Sequence, residues 1–166
     1  MVDHKGNQNL SLSLVVPFIS DIEKRKVIVQ SYLNSNIVDQ VRIQFVFLAN
    51  GKAPFGLELT SITKHGTHEI VYVGNDRFFS SAEENIYRIR DFIDLLQPWV
   101  LIIGETDEVV WEHLLAALLL ADHAKLDAIL LNIENRQTKV MGGYASQAAA
   151  VRLNDPVLQN SIVAVI

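Results

Sequence analysis

Cysteine is absent from the 166-residue sequence. The fold therefore has no disulfide framework, and its chemistry has neither a thiolate zinc site nor a cysteine nucleophile. Any metal must be held by oxygen or imidazole. Positive charge is scarce as well, since 14 Lys and Arg against 19 Asp and Glu leave a formal net charge of −5. The largest basic cluster, Lys24, Arg25 and Lys26, is too small for a duplex-binding surface, whose affinity comes mainly from Lys and Arg neutralising phosphates; no nucleic-acid partner is expected. The longest uninterrupted apolar run is the eight residues 114–121, far short of the about 20 needed to span a bilayer. Residues 1–9 are polar and lack the apolar core of a secretory signal. These features predict no transmembrane segment and a cytoplasmic protein, peripheral at most at the inner face of the membrane. No G-x-G-x-x-G, P-loop or G-x-S-x-G pattern follows any strand, which argues against dinucleotide, kinase and hydrolase readings.

What the sequence does have is apolar content, 49% of residues, enough for one globular domain over residues 10–166. Residues 10–17, L-S-L-S-L-V-V-P, pass from alternation into a continuous apolar stretch, the pattern of a strand entering a sheet covered on both faces, and Pro17 is expected to end it. Ser20-Asp21-Ile22-Glu23 has the form of a capping box and opens a helix to about residue 34. Residues 41–48 form a second strand that closes on Asn50-Gly51, a pair that favours a turn with positive φ. Residues 53–67 read as a loop with one short element at most, and residues 69–73 as a third strand. Ser81-Ala82-Glu83-Glu84 is a second capping box, opening a helix to about residue 97 whose apolar stripe is Ile86, Ile89, Phe92, Ile93 and Leu96. Residues 99–103 are a buried strand, 108–125 an apolar helix and 128–133 another strand. Residues 145–152 are expected as a short helix and 161–166 as a final strand. Strands alternating with helices make an α/β domain with a mainly parallel sheet. The apolar strand at 161–166 carries no polar tail, so the chain is expected to be the N-terminal part of a longer protein.

Ligands of such folds bind at the carboxyl ends of the strands. The densest chemistry at any of these ends is Glu105, Thr106, Asp107 and Glu108, three carboxylates in four residues directly after a buried strand. Glu105 and Asp107, at i and i+2, can face one hard cation in an extended turn, and Mg²⁺ is typically held by one or two carboxylates together with substrate phosphates. The plain alternative is that acids at a helix start answer the macrodipole and the caps. His65 and His68, flanking Gly66-Thr67, read as a solvated loop pair rather than ligands, and His113 as a packing or capping residue. Trp111 and the leucines of 114–120 read as core or as a subunit interface, so a homo-oligomer is an expected partner arrangement.

Four segments, in this order, resemble the GT-A glycosyltransferases, in particular the large inverting family often called family two. Those enzymes begin with a strand of the form L-S-V-V-I-P and a polar loop, and this chain has Leu12-Ser13-Leu14-Val15-Val16-Pro17. Their second strand ends in a turn like V-D-N-G-S, matched here by Leu48-Ala49-Asn50-Gly51-Lys52. A third strand, a helix carrying Arg-Asn and a strand ending in D-x-D follow; here Arg90-Asp91 precedes Glu105-Thr106-Asp107. The resemblance covers about residues 10–134. It implies a nucleotide-diphospho-sugar transferase-like fold, a three-layer sandwich around a mainly parallel sheet. It also implies a glycosyltransferase that moves a sugar from a nucleoside diphosphate donor to a saccharide or lipid-linked acceptor, in polysaccharide biosynthesis. By the same resemblance Pro17, Phe18, Ser20, Asn50, Gly51 and Thr106 contact the nucleotide sugar, Arg90 adds positive charge at the diphosphate, and Asp107 with Glu105 holds Mg²⁺ or Mn²⁺.

The chain departs from the family at three places. Ala49 stands where the family usually has an aspartate that receives a base N–H, and Glu105 replaces the first acid of D-x-D. The family's general base lies well beyond the D-x-D strand, where Asp155 is the only aspartate after Asp127. Two competing readings follow. One is a noncatalytic interaction or scaffold domain that keeps a glycosyltransferase-like fold. The other is a nucleotidyltransferase, which also uses acidic metal sites.

Overall fold

The computed structural model describes residues 10–19, 22–38, 40–51, 60–65, 68–74, 77–132, 134–135, 140–141 and 147–152. Its centre is a seven-stranded sheet of order β3-β4-β2-β1-β5-β9-β6. In chain order the elements are β1 (Ser11–Ile19), α1 (Ile22–Leu33), β2 (Arg42–Ala49), β3 (Thr60–His65), β4 (His68–Val73) and α2 (Ala82–Ile86). A 3-10 helix (Tyr87–Leu95), β5 (Trp99–Ile102), α3 (Trp111–His123), β6 (Ala128–Asn132), the two-residue strands β7 (Glu134–Asn135) and β8 (Val140–Met141), and β9 (Gln147–Arg152) complete the set. β4, β2, β1 and β5 pair parallel to one another. β3 lies antiparallel on the outer edge of β4, and β9 lies antiparallel between β5 and β6. The chain is thus an α/β fold built on a four-stranded parallel core.

Continuous apolar strands need cover on both faces, and both have it. On one face Leu12, Leu14, Phe45, Phe47 and Leu101 meet Ile28 and Tyr32 of α1 and Trp111, Leu114 and Leu118 of α3. On the other, Val15, Val46, Val71 and Val100 meet Ile86 and Ile89, with Phe92, Ile93 and Leu96 packed against them. The expected apolar stripe of that second helix is therefore the stripe that faces the sheet. Tyr32 sits where the first face needs a polar handle: its ring contacts Phe45 and Trp111 edge-on, and its hydroxyl donates to the Val41 carbonyl at 2.8 Å.

Three polar residues interrupt the second face in one rung. Ser13, Gln44 and Glu69 are directly paired across β1, β2 and β4, and all three are buried. Ser13 Oγ donates to Gln44 Oε1, and Gln44 Nε2 donates to Glu69 Oε2 at 3.1 Å and to the Leu95 carbonyl at 3.0 Å. The Gln97 N–H donates to Ser13 Oγ at 2.8 Å. The rung therefore holds the end of the 3-10 helix against the sheet just before β5 begins.

Four expectations from the sequence are corrected. Residues 147–152 are a strand rather than part of a helix; hydrogen-bonded pairing with β5 on one side and β6 on the other overrides the helical preference of Ala148, Ala149 and Ala150. Pro17 does not end β1, which continues to Ile19; having no N–H to donate, Pro17 sits beside a register shift between itself and Ile19. The helix expected from 81 to 97 is one α-helical turn followed by a 3-10 helix, broken at Phe92 (φ −140°, ψ 25°). His65 and His68 are a cross-strand pair of the β3–β4 hairpin, and His68 is buried with its ring edge-on to Tyr32 at 4.8 Å. The strand expected at 161–166 lies outside the described residues.

Replacing Gln44 by Leu leaves Ser13, Glu69 and the Leu95 carbonyl without their shared partner. The expected cost is about 1–3 kcal/mol, measured as a lower urea midpoint at unchanged m-value. Leu118→Ala, which empties a fully buried position, is expected to cost about 2–5 kcal/mol in the same assay.

Candidate functional site

In an open parallel sheet the crevice forms where strand order reverses, because the connections leaving two neighbouring strands there run in opposite directions. In this sheet the reversal lies between β1 and β5: from β1 the chain builds outward through β2 to β4, then returns to place β5 on the other side. The segment leaving β5 lies at this reversal point. There the Asp107 N–H donates to the Gly104 carbonyl at 3.1 Å and the Gly104 N–H donates to Asp107 Oδ2 at 2.7 Å, so the turn is closed from both ends. A Cβ at position 104 would approach Asp107 Oδ2 to 3.1 Å, a close fit that favours glycine. Glu105, inside this turn, accepts from Lys24 Nζ at 2.7 Å. Lys24 belongs to the first turns of α1, which follows β1, so this ion pair spans the two sides of the reversal point. Side-chain exposure is 36% for Lys24 and 20% for Glu105.

A second constellation closes the carboxyl end of β2. Asn50 Oδ1 accepts from the Phe79 N–H at 2.6 Å, and Asn50 Nδ2 donates to the Phe79 carbonyl at 3.1 Å. Gly51 follows with φ +84°, the left-handed conformation that glycine adopts freely. Its open side is filled by the Phe78 ring; a Cβ there would come within 2.7 Å of Phe78 Cε1 and Cζ. From α2, the buried Asn85 donates to the Leu48 carbonyl at 3.0 Å. Arg88 donates to the carbonyls of Ala49 and Gly74 and to Asn85 Oδ1. Burial pulls the Arg88 guanidinium below its ordinary value, and Asp91 opposes that shift. The Arg88 guanidinium also lies 5.6 Å from the centre of the Phe79 ring. Strand ends have carbonyls without ladder partners, and here Asn85 and Arg88 supply them.

The nine residues singled out in the sequence fall as follows. Pro17 and Phe18 lie in the last part of β1, while Ser20 is outside the described residues. Asn50 and Gly51 form the turn after β2, the carboxamide of Asn50 being engaged with Phe79. Thr106 and Asp107 are exposed in the turn after β5, and Glu105 is paired with Lys24. Arg90 points to the solvent side, its guanidinium 5.8 Å from the Tyr87 ring. It is Arg88, two residues earlier, that reaches the strand ends. Lys24 was visible in the sequence only as one of three adjacent cations, and nothing in the pattern distinguishes it from Arg25, which lies over Tyr72 at 4.6 Å. Burial raises the Tyr72 phenol, and the Arg25 charge and hydrogen bond work against that rise.

The side chains of the turn after β5 that could hold a cation are the carboxylates of Glu105 and Asp107, both oxygen donors. No group of three or more His, Asp or Glu able to hold a metal occurs among the described residues. Two carboxylates, Glu105 and Asp107, suit a hard cation only where substrate phosphates complete the coordination. Compared with protein-family models and with curated proteins, the chain matches none.

The 77–81 segment is fastened at its far end by Glu84, whose Oε2 accepts from the Ser80 N–H at 3.0 Å and the Ser80 hydroxyl at 2.8 Å. The Ser80 N–H, and then its hydroxyl, hold the Glu84 carboxyl below its usual range. A lowered carboxyl contributes its stabilisation above the ordinary glutamate range and loses it as pH falls through the lowered value. The Ser80 amide resonance is therefore expected to titrate, on acidification, at a pH below the ordinary glutamate range in NMR spectra, and Glu84→Gln to abolish that titration.

Proposed function

We propose that the chain is the nucleotide-sugar-binding part of a metal-dependent glycosyltransferase, transferring a sugar from a nucleoside diphosphate to a saccharide or lipid-linked acceptor. The observation that carries the reading is the coincidence of Glu105 and Asp107 with the point of strand reversal, beside β1 and its Leu12-Ser13-Leu14-Val15-Val16-Pro17 sequence. We read the architecture as three layers, the sheet lying between α1 with α3 and α2 with the 3-10 helix, as in nucleotide-diphospho-sugar transferases. α/β folds host many chemistries, so the assignment rests on the site and not on the fold.

Breaking the bond between the anomeric carbon and phosphate leaves a nucleoside diphosphate on which negative charge grows. Preorganised positive charge at that place lowers the barrier. Among the described residues, Lys24, paired with Glu105 beside the reversal point, is the cation placed for that role. Asp107 and Glu105 would hold Mg²⁺ or Mn²⁺, which supplies Lewis-acid stabilisation of the leaving diphosphate when bound. The Lys24 ammonium, paired with Glu105, would add a second positive charge for the leaving diphosphate. Gly104 keeps the Asp107 carboxylate at the rim by its N–H.

Calorimetry with UDP-, GDP- and dTDP-sugars is expected to show binding that strengthens with Mn²⁺. Asp107→Ala should cost that metal-dependent gain at least about tenfold, roughly 1.4 kcal/mol; no binding of any of the three donors would remove the assignment.

A second reading, a noncatalytic interaction domain with the same fold, is favoured by one feature of α3. Leu120 on that helix is 66% exposed, next to buried Leu118 and Ala121. On this reading Leu120→Asp lowers the oligomeric state seen by sedimentation, while Asp107→Ala leaves ligand binding unchanged.

A further inference from the structure

We propose that Phe78 is the stacking platform for the nucleobase of the donor, and that base recognition here is by ring stacking rather than by hydrogen bonds to the base edge. The inference rests on the nucleotide-binding reading above and names its base subsite. Phe78 is 82% exposed, more than any other large apolar residue among those described. A lone exposed apolar residue is ordinary on a protein surface. Phe78 differs in being built into place.

Three contacts fix it. The next residue, Phe79, is held at both its N–H and its carbonyl by the Asn50 side chain. One residue further on, the N–H and hydroxyl of Ser80 are held by Glu84. One side of the Phe78 ring, Cδ1 through Cζ, rests against Gly51, where a Cβ would collide with it at 2.7 Å. Both the positive φ of Gly51 and the position of this ring therefore call for glycine at 51. Bonds at the next two residues fix the backbone beside Phe78 and Gly51 supports one side of its ring, and preorganisation of that kind turns contact area into affinity.

Its place also fits the ligand. Gly51 follows β2, and β2 is two strands from β5 in the order β2-β1-β5, a distance of about 10 Å at ordinary strand spacing. A nucleoside diphosphate with its phosphates beside Lys24 and Glu105 reaches across that span with its base. Among the described residues at the β2 end, Ala49 offers no polar side chain, and the Asn50 carboxamide already bonds Phe79 through both its polar atoms. Stacking remains, and because every base has a π-face it discriminates weakly between bases.

Titration calorimetry of the whole chain with UDP, GDP and inorganic pyrophosphate, each with Mg²⁺, tests the proposal. Phe78→Ala is expected to weaken UDP and GDP by about ten- to hundredfold and to leave pyrophosphate unchanged, while Phe78→Tyr retains wild-type affinities. UDP and GDP are expected to bind the wild type within about tenfold of each other, as stacking alone implies. Unchanged nucleotide affinity in Phe78→Ala overturns the platform, and so does an equal loss for pyrophosphate, which would mean that the change acts through the loop. A wild type that binds pyrophosphate but gains nothing from the base overturns it as well. A wild type that binds none of the three overturns the nucleotide-binding reading itself, a result separate from the others.

Discussion

A parallel sheet covered by apolar side chains on both faces carries little in its own pattern to fix how the strands slide past one another. A slip of one residue exchanges one apolar face for another. In this protein the rung Ser13–Gln44–Glu69 removes that freedom. Any other register would leave the serine hydroxyl, the carboxamide and the carboxylate buried without partners, at a cost of order 1–3 kcal/mol for each group. The same rung takes Leu95 and Gln97 as partners, so it sets where the second helical segment ends and where β5 starts. The relative heights of the carboxyl ends of β1, β2, β4 and β5 follow from this, and the turns carrying Asn50 and Glu105 leave from those ends.

At the carboxyl ends of β2 and β4, away from this rung, the polar groups have a different task. Strand ends present carbonyls, and Asn85 and Arg88 reach from one short helical segment to three of them, at Leu48, Ala49 and Gly74. Asn50 captures the backbone of Phe79 in the same region. These groups are already committed within the fold. On the other side of β1, by contrast, the opposed charges of Lys24 and Glu105 meet partly in contact with solvent, where pairing contributes little to stability and a ligand can compete for either partner.

The sequence made the alternating α/β plan legible because apolar runs bounded by Ser20, Asn50-Gly51, Ser81 and Pro98 are strong local signals. It also placed Glu105, Thr106 and Asp107 at a strand end. What it hid depended on contacts distant along the chain. Ala148, Ala149 and Ala150 favour a helix locally, and only two waiting strand edges make them a strand. Arg88 and Arg90 look alike on a helical projection; the change from α to 3-10 winding, with fewer residues per turn, helps decide which one meets the strand ends. Lys24 could be told from its basic neighbours only by the turn after β5, 81 residues away. Phe78 gave no signal at all, since an aromatic residue in a loop is read as buried until its surroundings are seen.

β9 has one more effect, on how the sheet comes apart. Among the described residues β6 bonds to the rest of the seven-stranded sheet through β9, which lies between it and β5. Peeling residues 147–152 from β5 therefore unfastens β6 from the ladder at the same moment, although β6 precedes β9 in the chain and is anchored to α3 by a short connection. The two strands thus join the parallel core along one edge, that of β5, the strand that leads into Glu105 and Asp107.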